Sequence, residues 1–165
     1  MDFLSEQIER ALAAQLYYLA VVCALTLPDV CSALESPDGN TNGNLYKSWC
    51  DTWFTRSYQT LTSDDLYSMR CGVDHQGQLG HRHLQYSRIL FTMPIPGRHI
   101  ILHNNVINDA LNLDAVIFCR DMVNAMSRWY VQKKDDARVR ANLPRLIQLH
   151  PNGLPPYIIG VPVIS

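Results

Sequence analysis

The sequence has no excess of charge of either sign. Across 165 residues, 14 Lys plus Arg stand against 15 Asp plus Glu, for a net charge of −1. That excludes a chain-wide basic coat that holds a protein on nucleic acid by neutralising phosphates. Cysteine is sparse: Cys23, Cys31, Cys50, Cys71 and Cys119 form an odd set with no CxxC spacing. A disulfide framework or a cysteine zinc site is therefore not expected, and a reducing, cytoplasmic setting is. The sequence also has no GxGxxG, no P-loop and no GxSxG. Nucleotide binding by those loops and a serine nucleophile elbow are excluded with them.

What the chain does have is apolar content. With 47% hydrophobic and 18% charged residues it can bury one sizeable core, and its length fits one domain. The longest apolar run, residues 11–27, is interrupted only by Gln15 and Thr26. Asp2, Glu6 and Glu9 precede it, and Pro28 and Asp29 close it. It thus lacks the basic lead of a signal peptide and the length of a membrane span, and reads as a buried helix.

Leu4, Ile8, Leu12, Leu16 and Leu19, extended by Val22 and Cys23, recur at helical spacing and predict one long helix over residues 2–25. Pro28 suits the first turn of a short helix ending near Glu35. Residues 36–44 are loop chemistry. Tyr46, Trp49 and Trp53 share a face of a third helix. Thr62-Ser63-Asp64-Asp65 supplies the cap and acidic first turn of a fourth, with Leu66, Met69 and Val73 as its stripe and Gly77 as its stop.

Residues 87–93 and 99–103, around Pro-Ile-Pro-Gly, predict a β-hairpin. Residues 111–134 return to helical spacing, and the tail from Asn142 holds five Pro, too many for a long helix. The fold class read from these signals is all-α. It is a helical bundle over residues 1–141 with one small β-hairpin at 87–103, and a Pro-rich tail, 142–165, packs on it.

Charge is uneven along the chain. Residues 1–69 hold nine acids and three bases, whereas residues 70–103 hold Arg70, Arg82, Arg88 and Arg98 against Asp74 alone. The same segment carries His75, His81, His83, His99 and His103, five of the six His. A local cationic, titratable patch suits an anionic ligand, and its plain alternative is solvated surface. Arg70 and Asp74, four apart, share a helix face, while Arg70 and His75, five apart, are separated by about 140°. Two copies meeting about an axis would bring Arg and His of both chains into one cleft. His81, His83, His99 and His103 form a second constellation. No Asp, Glu or Cys lies near to complete it, so neither a metal nor another cofactor is expected. Cys71, four before His75, reads as a small apolar core residue or as half of a thiolate–imidazole pair.

The run Asp65-Leu66-Tyr67-Ser68-Met69-Arg70-Cys71-Gly72-Val73-Asp74-His75-Gln76-Gly77 at a helix end resembles the R-x4-6-H motif of HEPN-domain proteins. The resemblance implies a bundle that dimerises through the motif helix and, in active members, a metal-independent ribonuclease. Arg70 and His75 would be the catalytic pair. The RNA 2′-hydroxyl attacks its own phosphorus, His75 serves as acid or base, and Arg70 stabilises the phosphorane. Asp74, His81, Arg82 and His83 are the candidate substrate contacts. Cys71 stands where active members carry a polar residue. The expected partners are a second copy and single-stranded RNA, with neither DNA nor membrane. The alternative function is a non-catalytic interaction or structural domain.

Overall fold

The structure is a computed structural model that describes residues 1–79 and 85–165. It cuts the N-terminal apolar run in two. Helix α1 spans Asp2–Ala13 and α2 spans Tyr17–Glu35, with the chain turning at Gln15, whose φ is +59°. The apolar stripe changes face at that turn: Ile8 and Leu12 are buried, whereas Leu16 and Leu19 are each 50% exposed. Pro28 lies inside α2 and does not open a new helix. By length and composition α2 is apolar enough to cross a membrane, and half of its most apolar window is buried against its neighbours.

Helix α3 (Gly43–Trp53) begins where the Asn42 side chain accepts from the N–H groups of Asn44 and Leu45. Tyr46 is fully buried and donates its hydroxyl to the Leu25 carbonyl at 3.0 Å. Helix α4 (Ser63–Gln76) opens with a capping box: Thr62 Oγ1 accepts from the Asp65 N–H, and the Asp65 carboxylate accepts from the Thr62 N–H. It stops at Gly77, whose φ of +64° is the left-handed cap that glycine adopts without steric cost. Leu66, Met69 and Val73 are buried, as their spacing predicted.

The β structure overturns the all-α reading. Strand β1 (Arg88–Thr92) pairs in parallel with β3 (Ala110–Asp114), and β2 (Asn105–Ile107) pairs antiparallel with β3, giving the order β1-β3-β2. The predicted hairpin is not formed, because residues 99–103 are not strand and β1 finds its partner further along. The hairpin is β2–β3, turned by Asn108 (φ +49°) and Asp109 (φ +60°). Asn and Asp tolerate the left-handed region such a tight turn demands.

β3 also takes the first part of the helix predicted over 111–134. Asp114 then caps α5 (Ala115–Lys133) by accepting from the N–H groups of Val116 and Ile117. After α6 (Ala137–Asn142), the tail forms two minimal ladders, β4 (Leu149–His150) with β7 (Val163–Ile164) and β5 (Gly153–Leu154) with β6 (Ile158–Ile159). Among the described residues the protein is mixed α/β: six helices and seven short strands in three sheets.

α2 is the hub of the fold and packs on α1, α3, α4, α5 and α6. Leu25 and Leu27 of α2 bury with Met69 of α4 and with Phe118, Met122 and Trp129 of α5 in one apolar core. The end of α2 is sealed by Asn142, whose side-chain amide donates to the carbonyls of Leu34 at 3.2 Å and Ser36 at 3.0 Å. That satisfies acceptors a helix C-terminus otherwise leaves open.

Candidate functional site

The capping box and Gly77 fix α4 in place, and α4 in turn fixes Arg70. Arg70 Nε donates to Asp29 Oδ2 of α2 at 2.6 Å and lies 3.3 Å from Asp74 Oδ2, one turn on. The side chains of Arg70, Asp29 and Asp74 are 23%, 15% and 26% exposed, so the group sits at the edge of the core. Burial pushes the Asp29 carboxyl above its ordinary range, against the pull of Arg70. Burial also works against the Arg70 charge, but there the hydrogen bond to Asp29 and the charges of Asp29 and Asp74 prevail and raise its pKa. The predicted Arg70–Asp74 pair is present, and the contact to Asp29 was not anticipated.

His75 stands apart from this group. It is solvent-exposed, about 140° around α4 from Arg70. Among the described residues it makes no hydrogen bond or ion pair. His81, Arg82 and His83, the other expected substrate contacts, lie outside the described residues. Cys71 is half-buried and hydrogen-bonds the Tyr67 hydroxyl, which, with burial, raises the Tyr67 pKa. Tyr67 packs tightly over the start of α3: a Cβ on Gly43 would lie 2.8 Å from its ring.

A second polar cluster forms where the sequence offered a metal constellation. His99 is exposed, but His103 turns inward and its side chain is only 16% exposed. His103 Nδ1 accepts from the Asp114 N–H at 3.1 Å, which leaves the neutral ring's proton on Nε2, 4.0 Å from Asp121 Oδ2. The same oxygen accepts from the Tyr58 hydroxyl at 2.9 Å, and the Tyr58 and His103 rings meet edge to face at 5.3 Å. Burial holds the His103 pKa down against the pull of Asp121 and Asp114. Burial and the Asp121 charge push the Tyr58 hydroxyl well up. The cluster borders a cavity of about 80 Å³ that Asn124 and Arg128 also line. Nothing in the sequence marks Tyr58 and Asp121 as partners, because they meet across 63 residues through packing alone. Among the described residues no three His, Cys, Asp or Glu side chains gather as a metal site would require.

In comparisons with known proteins, no family model, no curated protein and no solved structure matches this chain. The function therefore has to be argued from the side chains.

Proposed function

We propose that this chain is a non-catalytic interaction module in which Arg70 is a tie between helices. One observation carries the reading: the Arg70 guanidinium is engaged by two carboxylates, Asp29 at 2.6 Å and Asp74 at 3.3 Å. A phosphate arriving there meets a group whose charge is already more than balanced. Drawing Arg70 away would strand a carboxylate that is 15% exposed, at a cost of several kcal/mol. Phosphoryl chemistry on RNA needs a cation and a proton carrier at one phosphate. His75, on another face of α4, does not meet Arg70 within one chain.

The partner we assign is a second copy. Met93, Ile95, Ile100 and Ile101, which flank the Pro-Ile-Pro-Gly turn, are 60%, 48%, 56% and 66% exposed. They follow β1, a sheet-edge strand whose one ladder partner among the described residues is β3. Apolar exposure beside an open strand edge favours pairing of like chains.

Sedimentation velocity across a concentration series, with a single-stranded RNA cleavage assay in EDTA, tests both halves. The expected result is a concentration-dependent dimer, no cleavage, and no effect of His75→Ala on either. Cleavage abolished by His75→Ala would restore the ribonuclease reading. Saturable RNA binding without cleavage would make RNA the partner. A monomer at every concentration would remove the second copy.

A further inference from the structure

A larger cleft lies away from both clusters, between the end of α2, α3 and the corner of α5 and α6. Its volume is about 370 Å³, and Glu35, Ser48, Trp49, Trp53, Lys133 and Arg138 are among its lining residues. That volume lies within the range of small-molecule sites.

Three features of the lining point the same way. The first is charge. Glu35 Oε1 already accepts from Trp129 Nε1 at 3.0 Å and from Lys133 Nζ at 3.0 Å, so its carboxylate is occupied. Arg138 is exposed, and among the described residues its guanidinium makes no ion pair or hydrogen bond. The cleft thus holds one uncommitted cation. The second feature is a missing acceptor. Trp49 is 3% exposed, and its indole N–H is buried with no hydrogen-bond partner. Such donors are nearly always satisfied in folded proteins, so one without an acceptor beside a cleft calls for an explanation. The third is shape: two indole rings, Trp49 and Trp53, border one space. Aromatic faces bind flat rings, and the arginine fork matches an oxyanion.

We infer that this cleft binds a small organic anion, a flat ring that carries a carboxylate or a phosphate. The ring lies against the tryptophans, the oxyanion takes the Arg138 guanidinium, and a ligand oxygen supplies the acceptor that Trp49 lacks. This site is independent of Arg70 and of self-association, so either reading can fail without the other.

The test is calorimetric titration of the full chain, with tryptophan fluorescence as a second readout. Indole-3-carboxylate represents the carboxylates and adenosine 5′-monophosphate the phosphates; indole and adenosine serve as uncharged controls. The expected result is saturable binding of at least one anion at up to about 5 mM, with its uncharged control much weaker. Arg138→Gln, a change at an exposed side chain, should weaken binding about tenfold, the scale of one charge-assisted hydrogen bond. Trp49→Phe keeps a ring and removes the donor, and should weaken it several-fold with thermal melting checked alongside. If Trp49→Phe does not fold, Arg138→Gln decides alone. No saturation by either anion, equal binding of charged and uncharged probes, or unchanged affinity in Arg138→Gln would overturn the inference.

Discussion

Tyr58 gives its hydroxyl to Asp121 at 2.9 Å and so joins the segment before α4 to α5 across 63 residues. Tyr58→Phe keeps the ring stacked on Phe54, at 4.8 Å between centroids, and removes only that bond. Urea unfolding should report a loss of about 1 kcal/mol, the usual net worth of one intramolecular hydrogen bond. An unchanged midpoint would mean that the bond contributes nothing to stability.

His103 makes stability depend on pH. Its folded pKa is held below the ordinary histidine value by burial, although Asp121 and Asp114 pull the other way. Below about pH 6.5 the unfolded chain therefore binds more protons than the folded one. Stability attributable to this residue is fully present above that value and is lost as pH falls toward the folded pKa. In His103→Asn this part of the slope should vanish when unfolding is followed between about pH 7.5 and 5.5. A wild-type slope retained in the variant would assign the dependence to another group.

Arg70 and His75 should respond in opposite ways to alanine. Arg70→Ala leaves Asp29, with 15% of its side chain exposed, without its cation, and should cost about 2–3 kcal/mol. His75→Ala, at an exposed position with no partner among the described residues, should stay within about 0.5 kcal/mol. Comparable losses in both would contradict the assignment of Arg70 as the structural member.

The break at Gln15 separates two leucines that one stripe would have equated. Leu25→Asp, at a position 1% exposed, should unfold the protein, because it buries an unpaired carboxylate. Leu16→Asp, at 50% exposure, should leave circular dichroism and melting close to those of the parent. A single continuous helix over residues 2–25 would make both changes severe.

Asp109 holds a φ of +60° in the β2–β3 turn, a region that costs most side chains about 1 kcal/mol. The backbone carbonyl, which accepts from the Ser87 N–H and hydroxyl, survives substitution. Asp109→Gly should therefore raise the melting temperature slightly. A fall would show that the Asp109 side chain contributes more than its strain costs.

Local signals in the sequence were read correctly where the chemistry is local. Thr62, Asp65 and Gly77 bound α4 through side-chain caps and a left-handed glycine, all within a few residues of the helix they define. Glu35 closes α2 for a similar reason, since Ser36 and Pro37 follow it. Other features depend on distant partners. Leu111 and Leu113 fit a strand and a helix equally well until β1 pairs with β3, so periodicity alone carried the helix too far toward the N-terminus. Gln15 carries no glycine or proline signal, and the turn there is set by packing. Within the candidate site, the Arg70–Asp74 pair is a four-residue spacing and could be read. Asp29 and the Tyr58–Asp121–His103 cluster are tertiary contacts and could not.

The three-stranded sheet also carries a folding order. β2 and β3 are joined by two residues, whereas Ser87, next to β1, reaches Asp109 across 22. Loop closure grows with the logarithm of length, so the second pairing carries about 2 kcal/mol more entropy loss than the first. The hairpin can form early as a template, and β1 docks on it only after the intervening chain has been gathered in. By the same reasoning β1 leaves first when the sheet opens, baring the flank of β3 before any helix has come apart.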